Sequence, residues 1–207
     1  MTDVPTIAGW LALACERWAA ARDELTELDA AAGDGDLGVT VAAGATGVAA
    51  ALAGLPADVT LPDLVRCAGA AFARGNPSSF AALTGAGLLA AAKYLDTADS
   101  DCREAVAGAL DAAADRIAER GRAAVGERTV LDALVPSVTA LRSAPPGRAA
   151  ALTAMVAAAR VGVAATSEMP AVRGRAAWVG ERSAGIPDAG ATAYLRLLEA
   201  LASVAQA

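Results

Sequence analysis

From Leu37 to Ala57 the chain reads LGVTVAAGATGVAAALAGLPA and carries no charge. A stretch of that length either spans a membrane or is buried inside protein. Its hydropathy separates the two. Most of it is Ala, Gly and Thr, with large apolar side chains only at intervals, so a buried helix is expected. The rest of the chain agrees. Hydrophobic residues make up 56% and aromatics 3%, so any core is built from Ala, Leu and Val. Ala and Leu favour helix, and the β-branched and aromatic residues that favour strands are fewer. An all-α fold follows. The 207 residues suffice for one substantial core, and residues 1–207 read as a single domain.

Composition also excludes functions. The net charge is −6 and no run of Lys or Arg stands out, so there is no basic footprint for nucleic acid. The chain has no histidine, which removes that residue as base, nucleophile or metal ligand. Cys15, Cys67 and Cys102 are odd in number and far apart. They fit neither a disulfide framework nor a zinc motif and point to a reducing cytosol. The N-terminus lacks the basic start of a signal peptide. A cytoplasmic protein without membrane attachment is expected.

Periodicity and cap signals predict eight helices. They run from about Pro5 to Leu28, Gly38 to Leu55, Thr60 to Gly75, Ser78 to Leu95, Ser100 to Gly121, Thr129 onward, Gly147 to Thr166, and Asp188 onward. Thr60 and Asp63 make a plausible N-terminal cap, and Gly121 a C-terminal stop. Between the last two helices lies MPAVRGRAAWVGERSAGIPDAGA, residues 169–191, with four glycines and three arginines. Connections longer than ~12–15 residues are usually functional or disordered, and Trp178 and Val179 argue against disorder.

The chemistry concentrates in Asp29-Ala-Ala-Ala-Gly33-Asp34-Gly35-Asp36-Leu37-Gly38. Three neighbouring carboxylates repel one another and raise each other's pKa, and a divalent cation relieves that. Carboxylate oxygens suit Mg²⁺ or Ca²⁺. An EF-hand is ruled out, because the twelfth position from Asp34 is Ala45 where a bidentate Glu is needed. From spacing alone two readings stay open: a metal site, or a solvated turn whose acids favour the next helix's N-terminus. Mg²⁺ usually shares its coordination with a phosphate. Gly75-Asn76-Pro77-Ser78-Ser79 precedes a helix whose N-terminus could receive one, though such a turn is often only a cap. Arg175 could pair with phosphate.

Taken together, these stretches resemble the L subunit of bacterial dihydroxyacetone kinase, the DhaL-like or DAK2 domain. Leu28-Asp29 with Gly33-Asp34-Gly35-Asp36 and Gly38 looks like its metal motif. Arg120-Gly121, Gly126-Glu127-Arg128-Thr129, Asp132 and Pro136 look like its central motif. Gly174-Arg175-Ala176, Gly180-Glu181-Arg182-Ser183, Pro187-Asp188 and Gly190-Ala191 look like its C-terminal motif. The resemblance implies a barrel of eight antiparallel helices with ADP or ATP bound at one end. Asp29, Asp34 and Asp36 would act in catalysis through two Mg²⁺ ions that bridge to the phosphates. Leu37, Gly38, Val39, Thr40, Val41, Ser78 and Ser79 would line the phosphates. Gly121 and Val130 would lie near the adenine, and Arg175, Asp188 and Gly190 in the closing segment. The ketose would be held by a separate K subunit through a histidine, with ATP or a phosphotransferase-system protein as phosphoryl source. Leu37 stands where the family usually has His, Thr40 where it has Asn, and Asn76-Pro77 where its phosphate loop has glycines. These departures support an alternative: a nucleotide-binding regulatory or interaction protein on the same scaffold.

Overall fold

The computed structural model describes residues 3–98, 102–172 and 185–205. These residues form nine helices and no strand: α1 Val4–Ala19, α2 Arg22–Ala32, α3 Leu37–Ala53, α4 Leu61–Gly75, α5 Ser79–Leu95, α6 Cys102–Gly121, α7 Leu131–Ser143, α8 Arg148–Thr166 and α9 Ala189–Ala205. Eight of them close a ring. In order α1, α3, α4, α5, α6, α7, α8 and α9, each packs on the next, and α9 packs back on α1. The ninth, α2, lies on α3 and touches α9.

Local chemistry explains most boundaries. Asp3 caps α1 by accepting from the Thr6 amide at 2.8 Å, and Pro5 occupies the first turn, where a missing N–H costs nothing. Thr60 caps α4, its Oγ1 accepting from the Asp63 amide. Ser78 caps α5, its Oγ accepting from the Ala81 amide at 3.1 Å. The uncharged stretch becomes α3, with Leu37, Val41, Ala45, Val48 and Leu52 buried, as a core helix requires. Among the described residues one helix, α8, is long and apolar enough to cross a membrane; it packs between α7 and α9.

The expected first helix, Pro5 to Leu28, is instead two. The break falls in Ala19-Ala20-Ala21, where no Gly or Pro marks it. Tertiary contacts impose it. Trp18 is anchored by its indole Nε1, which donates to the Ala193 carbonyl of α9 at 2.8 Å. Beyond it the chain turns so that Leu25 is fully buried and α2 lies flat on α3. Arg196 of α9 pairs with Glu24 through both carboxylate oxygens, holding α2 from the other side.

Two large apolar clusters, and a small third one of Ala91, Ala109 and Ala113 between α5 and α6, fill the ring. One gathers α1, α3, α4 and α5 around Trp18 stacked on Phe72 at 5.4 Å, with Phe80 edge-on to Phe72. The other gathers α6, α7 and α8 around Leu131, Leu134, Val138 and Met155. Helix α9 belongs to both, giving Ala193, Ala200 and Val204 to the first and Leu195 and Leu198 to the second. Glycines let helices touch backbone to backbone where the core lacks bulk. A Cβ on Gly38 would lie 2.0 Å from the Arg22 carbonyl, and one on Gly162 2.1 Å from the Asp132 carbonyl.

Candidate functional site

The starts of α3, α5, α7 and α9 gather at one end of the ring with the ends of α6 and α8, so ring neighbours alternate in direction. They enclose a cleft of about 590 Å³. Each helix start presents first-turn amides without intrahelical partners and the positive end of its dipole, so this end of the ring favours an anion.

Of the residues singled out from sequence, Asp29, Asp36, Leu37, Ser78, Ser79, Gly121, Val130, Asp188 and Gly190 line the cleft. Asp34, Gly38, Val39, Thr40 and the fully buried Val41 do not. Gly38 faces α2, Val39 is 44% exposed, and Thr40 is fully buried with its Oγ1 accepting from Asn76 Nδ2 at 2.8 Å. That bond ties the Gly75–Ser78 turn to α3. Arg175 lies outside the described residues, as do Gly174, Trp178 and the 180–183 stretch.

The acidic cluster forms where α2 ends. Asp29 sits in its last turn, and the loop through Gly33 and Gly35 brings Asp34 and Asp36 back beside it. One oxygen from each carboxylate lies within 4.8 Å of the other two. Two glycines make the turn. Gly35 has φ 75°, in the left-handed region, and a Cβ on Gly33 would sit 2.6 Å from Asp29 Oδ1. Asp29 Oδ2 accepts from the Leu37 amide at 3.1 Å, fixing the acid to the start of α3. Burial holds the Asp29 carboxyl above its ordinary range; the Leu37 amide opposes this, and the charges of Asp34 and Asp36 add to it. Asp36 occupies the N-cap position of α3, yet its side chain makes no capping bond. The donor set is therefore three converging carboxylates on a short loop, the chemistry of a hard divalent cation.

The opposite wall is built from the α6–α7 loop and the approach to α9. Arg122, Gly126 and Arg128 have φ of 50°, 92° and 59°. Asp132, 2% exposed, organises them: its carboxylate accepts from the Thr129 amide at 2.7 Å and from the Gly126 amide. Arg128 Nη2 donates to the Ile186 carbonyl at 2.7 Å. Asp188 caps α9, its Oδ2 accepting from the Ala191 amide at 2.7 Å, while its own amide donates to Thr166 Oγ1 at 2.8 Å. The sequence motifs contained Arg128, Thr129 and Asp132, but no role came with them. The Thr-x-x-Asp pattern at 129–132 was the available signal for the loop's anchor.

Burial pushes the Asp188 carboxyl up to about 6; the Ala191 amide and the nearby Arg128 oppose the rise, and Asp132 adds to it. Its ordinary value is 3.8. The folded protein therefore holds this proton more tightly than the unfolded chain, and stability from this group falls as pH rises from about 4 to about 6. Asp188→Asn keeps an acceptor for Ala191 without that penalty. We expect the two proteins to melt alike near pH 4 and the variant to be more stable above pH 6, by at most roughly 3 kcal/mol. Melting curves across this range check it; a pH-independent difference would contradict the assignment.

Comparison with known proteins gives concordant findings. The family model for the DAK2 domain matches residues 31–203. The "L-erythrulose 1-kinase" of Mycolicibacterium smegmatis is 36% identical over 180 residues, covering 86% of this chain and 32% of that protein. The "PEP-dependent dihydroxyacetone kinase 1, ADP-binding subunit DhaL" of Listeria innocua is 32% identical over 193 residues, covering 93% of this chain and 92% of that subunit. Crystal structures of the C. freundii dihydroxyacetone kinase superpose with TM-scores of 0.79 for the native form and 0.76 for the complex with AMP-PNP and Mg²⁺, both at 28% identity and covering 98% of this chain. The chain spans about a third of the mycobacterial kinase and of the C. freundii kinase, but nearly all of the listerial subunit.

Proposed function

This chain belongs to the DAK2 domain family, and on that premise we propose that residues 1–207 are one ADP- or ATP-binding domain acting as a subunit of a dihydroxyacetone-type kinase. The observation that carries the reading is the convergence of Asp29, Asp34 and Asp36 at a cleft ringed by helix starts. Carboxylates alone would repel a polyphosphate. Mg²⁺ bound to them would supply charge neutralisation and alignment of the phosphates. Two such ions contribute roughly +4 against about −3 from the aspartates, leaving a small positive surplus.

Within this reading Asp29, fixed by the Leu37 amide, sets the place of the metal. The amides of the first turn of α5, after the Ser78 cap, hold phosphate oxygens. Gly121, Ile117 and Val130 give an apolar wall for the base. Arg175, matched through its motif alone, is the proposed cationic partner of the phosphates. The acceptor is a small ketose held by a K-type partner subunit, since a chain without histidine has none with which to tether a ketone. The phosphoryl source is ATP or, with bound ADP recharged in place, a phosphotransferase-system protein. The relatives' names support this range, one being PEP-dependent and ADP-binding. We place the protein in the cytoplasm; the free Cys15 and Cys67 suit a reducing compartment.

A second reading keeps the nucleotide and drops efficient transfer. Asn76 locked to Thr40, followed by Pro77, favours it, because this turn has less freedom to fold over a γ-phosphate than a glycine loop.

Both readings require Mg-nucleotide binding. At ~100 times the dissociation constant, Mg-ADP should add about 2.7 kcal/mol, or about 5–11 °C in melting temperature. ADP with chelator should add nothing. The absence of any shift at millimolar Mg-ADP would overturn both readings; phosphorylation of dihydroxyacetone on adding a K-type subunit separates the first from the second.

A further inference from the structure

Arg128 is 3% exposed and sits in the α6–α7 loop at φ 59°, a left-handed backbone that non-glycine residues seldom adopt. A buried guanidinium persists only where its charge and N–H groups are met. The charge and one N–H group are met by the approach to α9. Nη2 donates to the Ile186 carbonyl, two residues before Asp188. The guanidinium charge lies near enough to Asp188 to favour its carboxylate against burial and against Asp132. On its own side, Asp132 gathers the Gly126 and Thr129 amides and so fixes the loop from which Arg128 projects. On the far side, Asp188 caps α9 and is pinned to the end of α8 through Thr166.

We infer that Arg128 is a positioning residue that straps the start of α9 to the α6–α7 loop and thereby holds in shape the wall of the cleft, opposite the acidic cluster, against which the nucleotide lies. The ligand in this statement rests on the function proposed above; the strap itself rests on geometry alone. Such a residue acts without touching the metal cluster. Its charge matters as well as its bulk, because it stands beside Asp188 while bridging to a backbone carbonyl.

Two measurements on the full chain test this, each with Arg128→Met and Arg128→Lys. Hydrogen exchange of the Asp188 and Ala191 amides, without ligand, reads the wall directly. Calorimetry with Mg-ADP reads its consequence. In Arg128→Met these two amides should exchange at least about tenfold faster while the Asp63 amide in the remote α4 cap is unchanged. The dissociation constant for Mg-ADP should rise about tenfold or more. Arg128→Lys keeps the charge and a donor, and should recover both to within about threefold of wild type. Wild-type exchange in Arg128→Met overturns the strap, whatever the affinity does. A lysine variant as impaired as the methionine variant also overturns it, reducing Arg128 to packing. If wild type does not bind Mg-ADP but Arg128→Met still frees the two amides, the strap stands and the nucleotide reading falls.

Discussion

Asp34→Asn is expected to abolish the Mg-ADP stabilisation and leave the helical ring intact. Asp34 is exposed on a glycine loop and contributes nothing to either apolar cluster. The swap preserves size and removes one charge. A hard-cation site depends on carboxylate charge for much of its attraction, so metal affinity should collapse, and nucleotide affinity with it. Without ligand the variant should melt at or slightly above wild type, because Asp34 is one of the two charges that raise the Asp29 carboxyl. If these acids served only the dipole of α3, the opposite pattern would appear: removal of an N-terminal charge costs ~0.3–1 kcal/mol with or without ligand. Melting temperatures of both proteins, each with and without Mg-ADP, distinguish the two. A variant destabilised when free that still gains the full ligand shift would make Asp34 a helix-end charge and not a ligand.

The second large effect concerns the fold beneath the site. Gly38→Ala places a methyl 2.0 Å from the Arg22 carbonyl and 2.1 Å from Thr26 Oγ1. The first is backbone and cannot rotate away, so α2 must lift from α3. Overpacking typically costs about 1–3 kcal/mol, and a clash with main chain should reach or exceed the upper figure. At 2–4 °C per kcal/mol the melting temperature should fall by about 6–12 °C. Lifting α2 also parts Asp29 from the Leu37 amide, so the Mg-ADP shift should vanish as well. Gly33→Ala is the informative contrast. Its methyl comes nearest the movable carboxylate of Asp29, 2.6 Å from Oδ1, and stands 3.1 Å from the Asp29 carbonyl, so it should weaken the ligand shift with a much smaller change in the free protein than Gly38→Ala. Denaturant melts of the two variants, with and without Mg-ADP, test this; equal stability losses would show that Gly38 is not a contact point between backbones.

What could be read in the sequence was what depends on near neighbours along the chain. The Thr60 cap acts across three residues, and Ser78 likewise. The burial of α3 follows from its lack of charge. The grouping of Asp29, Asp34 and Asp36 follows from a short glycine loop. The rest depends on contacts between distant segments. The kink at Ala19–Ala21 has no local mark because Trp18 finds its partner at Ala193. Gly38 looked like a phosphate-loop glycine, and its missing side chain is taken up by the Arg22 backbone. Thr40, next to the acidic loop in sequence, points into the protein toward Asn76. Arg128 reaches a carbonyl 58 residues away, a separation no pattern of spacing records.

The ring is joined at α1 and α9, and this governs when the cleft can come into being. Helices α3 to α8 meet their partners mostly next along the chain, so their contacts can form as the chain emerges from the ribosome. The seam between α1 and α9 links the first and last of the described helices, and its contacts span the longest sequence separation among them. Until α9 arrives, Trp18 has no carbonyl to bind, the apolar faces of α1 and α8 stay uncovered, and Pro187 to Gly190 are missing from the cleft wall. A nascent chain in that interval is an open crescent with sticky ends. Completion of the cleft waits on α9, and any delay in adding that helix prolongs the period in which two such crescents can exchange their ends.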